Sequence, residues 1–160
     1  MKLNSLNEWL TLFANIAVLA GIVFLGLEIQ QNTRMIESQT KNSITQNIND
    51  IGLAGVENEY TAGVIAKGLR DNIEPGVYQE NITWILFAQG NFRNWENEWY
   101  QYRNGIFDEE EYEGRRRNMY RNLEFPGFRT YWEDYRQTFS DSFIEQIDLI
   151  ISETPIRESF

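Results

Sequence analysis

The chain has 160 residues and contains neither cysteine nor histidine. That length holds one modest domain with its own core, and the two absences exclude thiol catalysis, Ser-His-Asp triads, structural zinc, histidine-ligated haem and iron–sulfur clusters. Fourteen Lys plus Arg against 24 Asp plus Glu give a net charge of −10, the wrong sign for a nucleic-acid partner, while 14% aromatic content argues against disorder.

After a tail over residues 1–8, the chain runs from Trp9 to Leu27 for 19 residues without a charge. At 1.5 Å per residue that stretch covers roughly 28 Å, about the thickness of a bilayer's hydrocarbon core. The pattern predicts a transmembrane helix over 9–29, with Trp9 at the headgroup boundary. A cleaved signal peptide would have a shorter apolar region, followed by small residues at a cleavage site. Here Glu28-Ile29-Gln30-Gln31 follows instead, so an uncleaved single-pass anchor is expected. Within the charge-free run from Trp9 to Leu27 only Thr11 and Asn15 are polar. Ala14, Ala17 and Gly21 fall on one side of the helix, and Glu28 continues that line one heptad later. Asn15 lies beside it. Small residues let two helices approach closely in lipid, and an intramembrane Asn gains from a hydrogen bond across the contact. Ala14, Asn15, Ala17, Gly21 and Glu28 are therefore the candidate self-association face. Lys2 and the α-amino group precede the span, and Arg34 and Lys41 follow it. A short tail crosses a membrane readily, which places the domain on the cytoplasmic side.

Residues 30–51 carry no Pro or Gly and read as a helical stalk. Ile29, Ile36, Ile44, Ile48 and Ile51 form a thin apolar stripe that needs a partner. The remainder, 52–160, reads as a small helical bundle, so the expected fold class is all-α. A helix over 57–69 precedes the breaker Asp71-Asn72-Ile73-Glu74-Pro75-Gly76. A long helix over 77–103 follows. It offers Ile82, Ile85, Leu86, Phe92 and Trp99 on one side and Trp84, Ala88, Trp95 and Tyr102 on another, as a central helix would. Asn104-Gly105 ends it. Asp108 and Glu111 have the spacing of a capping box for the next helix. Phe128, Tyr131, Trp132 and Tyr135 then recur at helical spacing after Pro126-Gly127. Ser140 or Asp141 opens the last helix, which buries Phe143, Ile144, Ile147, Ile150 and Ile151.

Three segments are candidates for chemistry. The acidic run 108–113 lacks the alternating ligands and glycine of a calcium loop. It suits a solvated helix start, with Glu111–Arg115 and Glu113–Arg117 as i,i+4 pairs. Arg115, Arg116, Arg117 and Arg121 form the sole basic cluster, too small for a polybasic lipid anchor. The stretch from Phe92 to Arg103 interleaves aromatics with Arg and Glu. Trp95, Glu96, Trp99 and Tyr102 there belong either to the core or to a small-molecule pocket, where a buried Glu96 would serve as a general base. A diiron carboxylate bundle would need Glu-x-x-His pairs, which the chain lacks. No catalytic residue, metal ligand or cofactor is assigned.

The segment LAGIVFLGLEIQQNTRMIESQT, with the later blocks NWENEWYQYRNGIFDEEEYEG and LEFPGFRTYWEDYRQTFSDSFIEQID, resembles a widespread group of uncharacterised bacterial membrane-anchored proteins. The likeness spans most of the chain. It implies a single N-terminal span in a bacterial inner membrane and a helical domain. It brings no activity, cofactor or catalytic residue.

The function expected from the residues is a membrane-anchored interaction or scaffold module. It would self-associate through span and stalk, with the lipid bilayer and a second copy, or another membrane protein, as partners. The alternative is an oligomeric pore or transport accessory subunit with Asn15 and Glu28 facing its path. A membrane-bound enzyme is the weakest of the three, for want of an acid–base or metal constellation.

Overall fold

The computed structural model describes residues 2–157, and these are all-helical, with no strand among them. In chain order the helices are α1 (Lys2–Val56), α2 (Glu59–Leu69), α3 (Tyr78–Arg103), α4 (Glu109–Leu123), α5 (Pro126–Tyr135) and α6 (Asp141–Glu153). A 3₁₀ turn at Arg136–Thr138 precedes α6. The α-amino group of Met1, counted in the charge comparison, and residues 158–160 of the expected bundle lie outside the described residues. The chain divides into two compact units, Met1–Lys41 and Asn42–Phe160. The last part of the stalk, 42–51, thus belongs with the second unit.

The first unit is the leading part of α1. Its most apolar stretch is long enough to cross a membrane, and none of it is buried. Trp9, Phe13, Val18, Ile22 and Phe24 are all exposed. The Thr11 hydroxyl donates to the Asn7 carbonyl at 2.9 Å, so this polar atom is satisfied within its own helix. Such internal pairing is what hydrocarbon surroundings demand.

The second unit is built around the inward arc of α3. Trp84, Ala88, Phe92 and Trp95 are all buried there. Phe92 stacks on Trp132 of α5 with ring centroids 5.1 Å apart, and Trp95 meets it edge-on at 4.8 Å. Phe128 packs between them and Trp84. From α6, Phe143, Ile147 and Ile150 close the core, while Ile144 and Ile151 are half-buried at its edge. Of the isoleucine stripe on α1, Ile44 is 1% exposed and Ile51 half-buried, while Ile29, Ile36 and Ile48 remain exposed. Two members expected on the buried side of α3 face solvent instead: Ile82 and Leu86 are 43% and 61% exposed. The reason is phase. At about 100° per residue both sit roughly opposite Trp84 and Ala88, so α3 buries one broad arc rather than two faces.

The helix ends follow their residues. The Asn58 side chain accepts from the Thr61 N–H at 2.8 Å and starts α2. Asp108 and Glu111 form the reciprocal capping box of α4. At the end of α3 the Ile106 and Gly105 N–H groups donate to the Gln101 and Tyr102 carbonyls, a Schellman closure with Gly105 at φ 75°. The same pattern closes α2, with Asp71 at φ 54° in the glycine-like position.

Close packing of α2 against α5 depends on two glycines. A Cβ on Gly68 would fall within the Trp84 indole, and one on Gly127 would collide with the Gly68 carbonyl. Gly90 is different, since a Cβ there meets only Ile51 at 3.6 Å. Gly127→Ala should therefore lower the unfolding free energy by about 1–3 kcal/mol or more, through forced separation of backbones. Gly90→Ala should be neutral or stabilising by up to about 1 kcal/mol, because alanine favours the helix. Urea unfolding of both variants checks the contrast, and equal effects would contradict it.

Candidate functional site

The four candidate residues on α3 do not converge. Trp95 is 1% exposed and belongs to the aromatic core. Tyr102 stacks on Tyr112 of α4 at 4.2 Å between centroids. Only Glu96 and Trp99 meet at a cavity, an open one of about 540 Å³ beside the start of α6. Arg93, Arg103, Ser140 and Ser142 complete much of its wall.

Glu96 is fully occupied there. One carboxylate oxygen accepts the Ser140 backbone N–H at 2.8 Å and the other accepts Arg93 Nη1 at 2.8 Å. The carboxylate thus caps the N-terminus of α6 in place of the Ser140 side chain, which makes no such bond. Partial burial pushes the Glu96 pKa up, but the Ser140 and Arg93 donors outweigh it and hold the group below the ordinary 4.5. A general base needs a raised pKa and a free oxygen. Glu96 offers neither here; its carboxylate instead ties α3 to the start of α6. Trp99 Nε1 donates to the Ser142 hydroxyl at 3.3 Å and ties the same two helices together.

The buried acid is Glu98, 2% exposed, which the sequence reading passed over. Its carboxylate accepts Arg115 Nη1 at 2.9 Å and Asn94 Nδ2 at 3.1 Å. Burial pushes its pKa above 4.5 against the opposing pull of Arg115. Asn94 Oδ1 and the Tyr112 hydroxyl are buried, with no hydrogen-bond partner among the described residues. Helical phase carried the signal: Glu98 sits three and four residues from Trp95 and Tyr102, within the apolar arc. Its partner Arg115 could not be found that way, because the pair crosses from α3 to α4.

The basic cluster is dispersed. Arg115 turns to Glu98, while Arg116 reaches Glu113 at 3.5 Å and Glu153 at 3.0 Å. Glu113 thus pairs with Arg116 rather than the expected Arg117, which is exposed. Among the described residues no group of three or more acidic side chains could hold a metal ion.

The self-association candidates lie along the leading part of α1. Ala14, Asn15, Ala17, Gly21 and Glu28 are all exposed, and nothing comes within 4 Å of a Cβ built on Gly21. No protein-family model, curated protein or solved structure matches the chain.

The two glutamates make opposite demands on pH. Glu98 has a raised pKa in the folded state, so its folded form binds the proton more tightly and stability falls as pH rises from 4.5 through the folded value. Glu96 has a lowered pKa, so its contribution is present above 4.5 and is lost as pH falls through the folded value. Between about pH 4 and about pH 7, Glu98→Gln should gain stability relative to the wild type, while Glu96→Gln should lose it. Urea midpoints at both pH values read the two signs. Identical trends for both variants would contradict the assignment.

Proposed function

We propose that this chain is a membrane-anchored interaction module that self-associates through its N-terminal span and stalk. Anchoring is supported by the charge-free run from Trp9 to Leu27, whose apolar side chains lie outside any protein core. A soluble core helix of the same composition would bury such side chains. The observation that carries self-association is the face of Ala14, Ala17 and Gly21, which is open and free of bulk. Beside it, the Asn15 side chain has no hydrogen-bond partner among the described residues. In lipid that amide gains roughly 0.6–2 kcal/mol from a bond across a helix–helix contact. Ile36 extends an exposed apolar position beyond the span, whereas Ile44 is consumed by the bundle and has nothing to offer a sister stalk. The module would serve in a bacterial inner membrane, with the bundle on the cytoplasmic side.

Gly21→Ile should weaken the oligomer by forcing the helices apart, while the bundle stays folded and the chain stays in the membrane. Gly21→Cys, in a chain without native thiols, should cross-link between copies in lipid. A folded, membrane-inserted Gly21→Cys chain that never cross-links would leave the span as a tether alone.

A further inference from the structure

Two adjoining cavities of about 290 Å³ each share Ile51 and Gly90, and together they form one groove between the end of α1 and α3. Leu86, Gly90, Arg93 and Asn97 line it from α3 at i, i+4, i+7 and i+11. Asn47, Asp50, Ile51 and Gly55 line it from α1. All of these residues belong to the second unit. One end of the groove is apolar, with Phe87 and the exposed Leu86 in its wall. The leucine that departs from the expected packing of α3 thus faces a groove with no occupant of its own chain.

The two walls run in opposite directions. A Cβ on Gly55 would meet Phe87 at 3.4 Å, and one on Gly90 would meet Ile51 at 3.6 Å. Asn47 and Asp50 share the other cavity with Arg93 and Asn97. Numbers that rise along α3 therefore fall along α1. Charge adds a second constraint. Asp50 is exposed and forms no ion pair among the described residues. Arg93 gives Nη1 to Glu96 and Nη2 to the Thr138 carbonyl, and a guanidinium with five N–H donors keeps others to spare. One aspartate and one arginine are the only charged residues in the groove walls.

We infer that a second copy of this chain docks here, the end of its α1 lying in this groove while the first copy's α1 lies in the matching groove of the second. The inference rests on the self-association read from the span and adds to it a contact made by the bundle. Two copies inserted in one membrane in the same sense share the direction of α1, so the second α1 runs antiparallel to α3, as the first does. A two-fold axis along α1 keeps equal residues at equal height, and each contact is made twice. Asp50 of the second copy therefore arrives level with Arg93 of the first, and the reverse pair forms with it. Each unpaired carboxylate meets a guanidinium, which is charge complementarity of the self-matching kind. At the apolar end, Ile51 and Gly55 of the second copy come level with Gly90 and Phe87, where no charge intervenes. The net charge of −10 opposes pairing of copies over the surface at large, whereas this groove balances one negative with one positive side chain. A helix from a strongly basic or strongly acidic partner would leave one of the two opposed. Tethering by the spans also keeps the second copy at high effective concentration.

The test mixes two full-length chains in lipid vesicles, one carrying Asn47→Cys and the other Asn97→Cys, and adds a short bis-maleimide. The chain has no native thiol, so a bridge between positions 47 and 97 joins different copies. That bridge is expected, and a control pair of Asn47→Cys with Arg117→Cys on α4 should not form one. Gly90→Phe, which fills the groove, and Leu86→Glu, at an exposed position, should each cut the yield about tenfold, the loss expected when an interface contact is removed. Asp50→Arg in both chains should do the same by facing Arg93 with a like charge, although it makes the chain less negative and would otherwise favour association. Circular dichroism of each variant confirms the fold. Absence of the 47–97 bridge, in folded chains that still cross-link through Gly21→Cys, would overturn the groove contact and leave the span association standing. If neither pair cross-links, the groove contact falls together with the reading on which it rests. A bridge that forms equally with position 117, or that Gly90→Phe and Leu86→Glu leave unchanged, would be collision of copies and would also overturn the inference.

Discussion

The constraint on which the account turns is the bare apolar surface of α1. From Trp9 to Leu27 the helix presents its side chains to whatever surrounds it, and none of that stretch is buried by the protein. In water such a surface is unfavourable by roughly 25 cal/mol per Å² of apolar area left exposed. A bilayer removes the penalty without any protein contact. The backbone is already suited to that medium, since an α-helix satisfies its own N–H and C=O groups along its interior.

The second unit closes its core without help from that surface. The arc of α3 from Trp84 to Trp95 meets Phe128, Tyr131 and Trp132 of α5, and α6 seals the cluster with Phe143, Ile147 and Ile150. Glycine makes the closest approach possible, because Gly68 and Gly127 leave room for Trp84 where any side chain would not fit. Polar ties then fix the helices laterally. Glu98 to Arg115 joins α3 to α4, Glu96 caps α6 from α3, and Trp132 Nε1 donates to Asp148 of α6 at 2.9 Å. The aromatic-rich stretch of α3 is therefore mostly structure: its rings fill the core, and its acids are taken up by neighbouring helices.

Local patterns were legible in the sequence where the physics is local. The long apolar helix at the start of the chain, the capping box of Asp108 and Glu111, the stop at Asn104-Gly105 and the helical spacing of Phe128, Tyr131 and Trp132 all depend on residues within a few positions of one another. Grouping Ile82 and Leu86 with Phe92 failed because it counted apolar residues without their phase around α3. Glu98 lies within the buried arc by phase alone, but what makes its burial tolerable, Arg115, is 17 positions away on another helix. Pairing across helices is set by tertiary packing, which no periodicity in one helix reports.

Membrane anchoring is the claim from which the proposed role follows. It is tested most directly by spin-label accessibility on single cysteines, Val18→Cys, Ile22→Cys and Ile48→Cys, in the full chain reconstituted into lipid vesicles. Oxygen concentrates in hydrocarbon, whereas a charged nickel chelate stays in water. The labels at 18 and 22 should collide with oxygen and be shielded from the chelate, and the label at 48 should show the reverse. A chelate that reaches positions 18 and 22 as readily as position 48 would mean that the helix does not enter the bilayer.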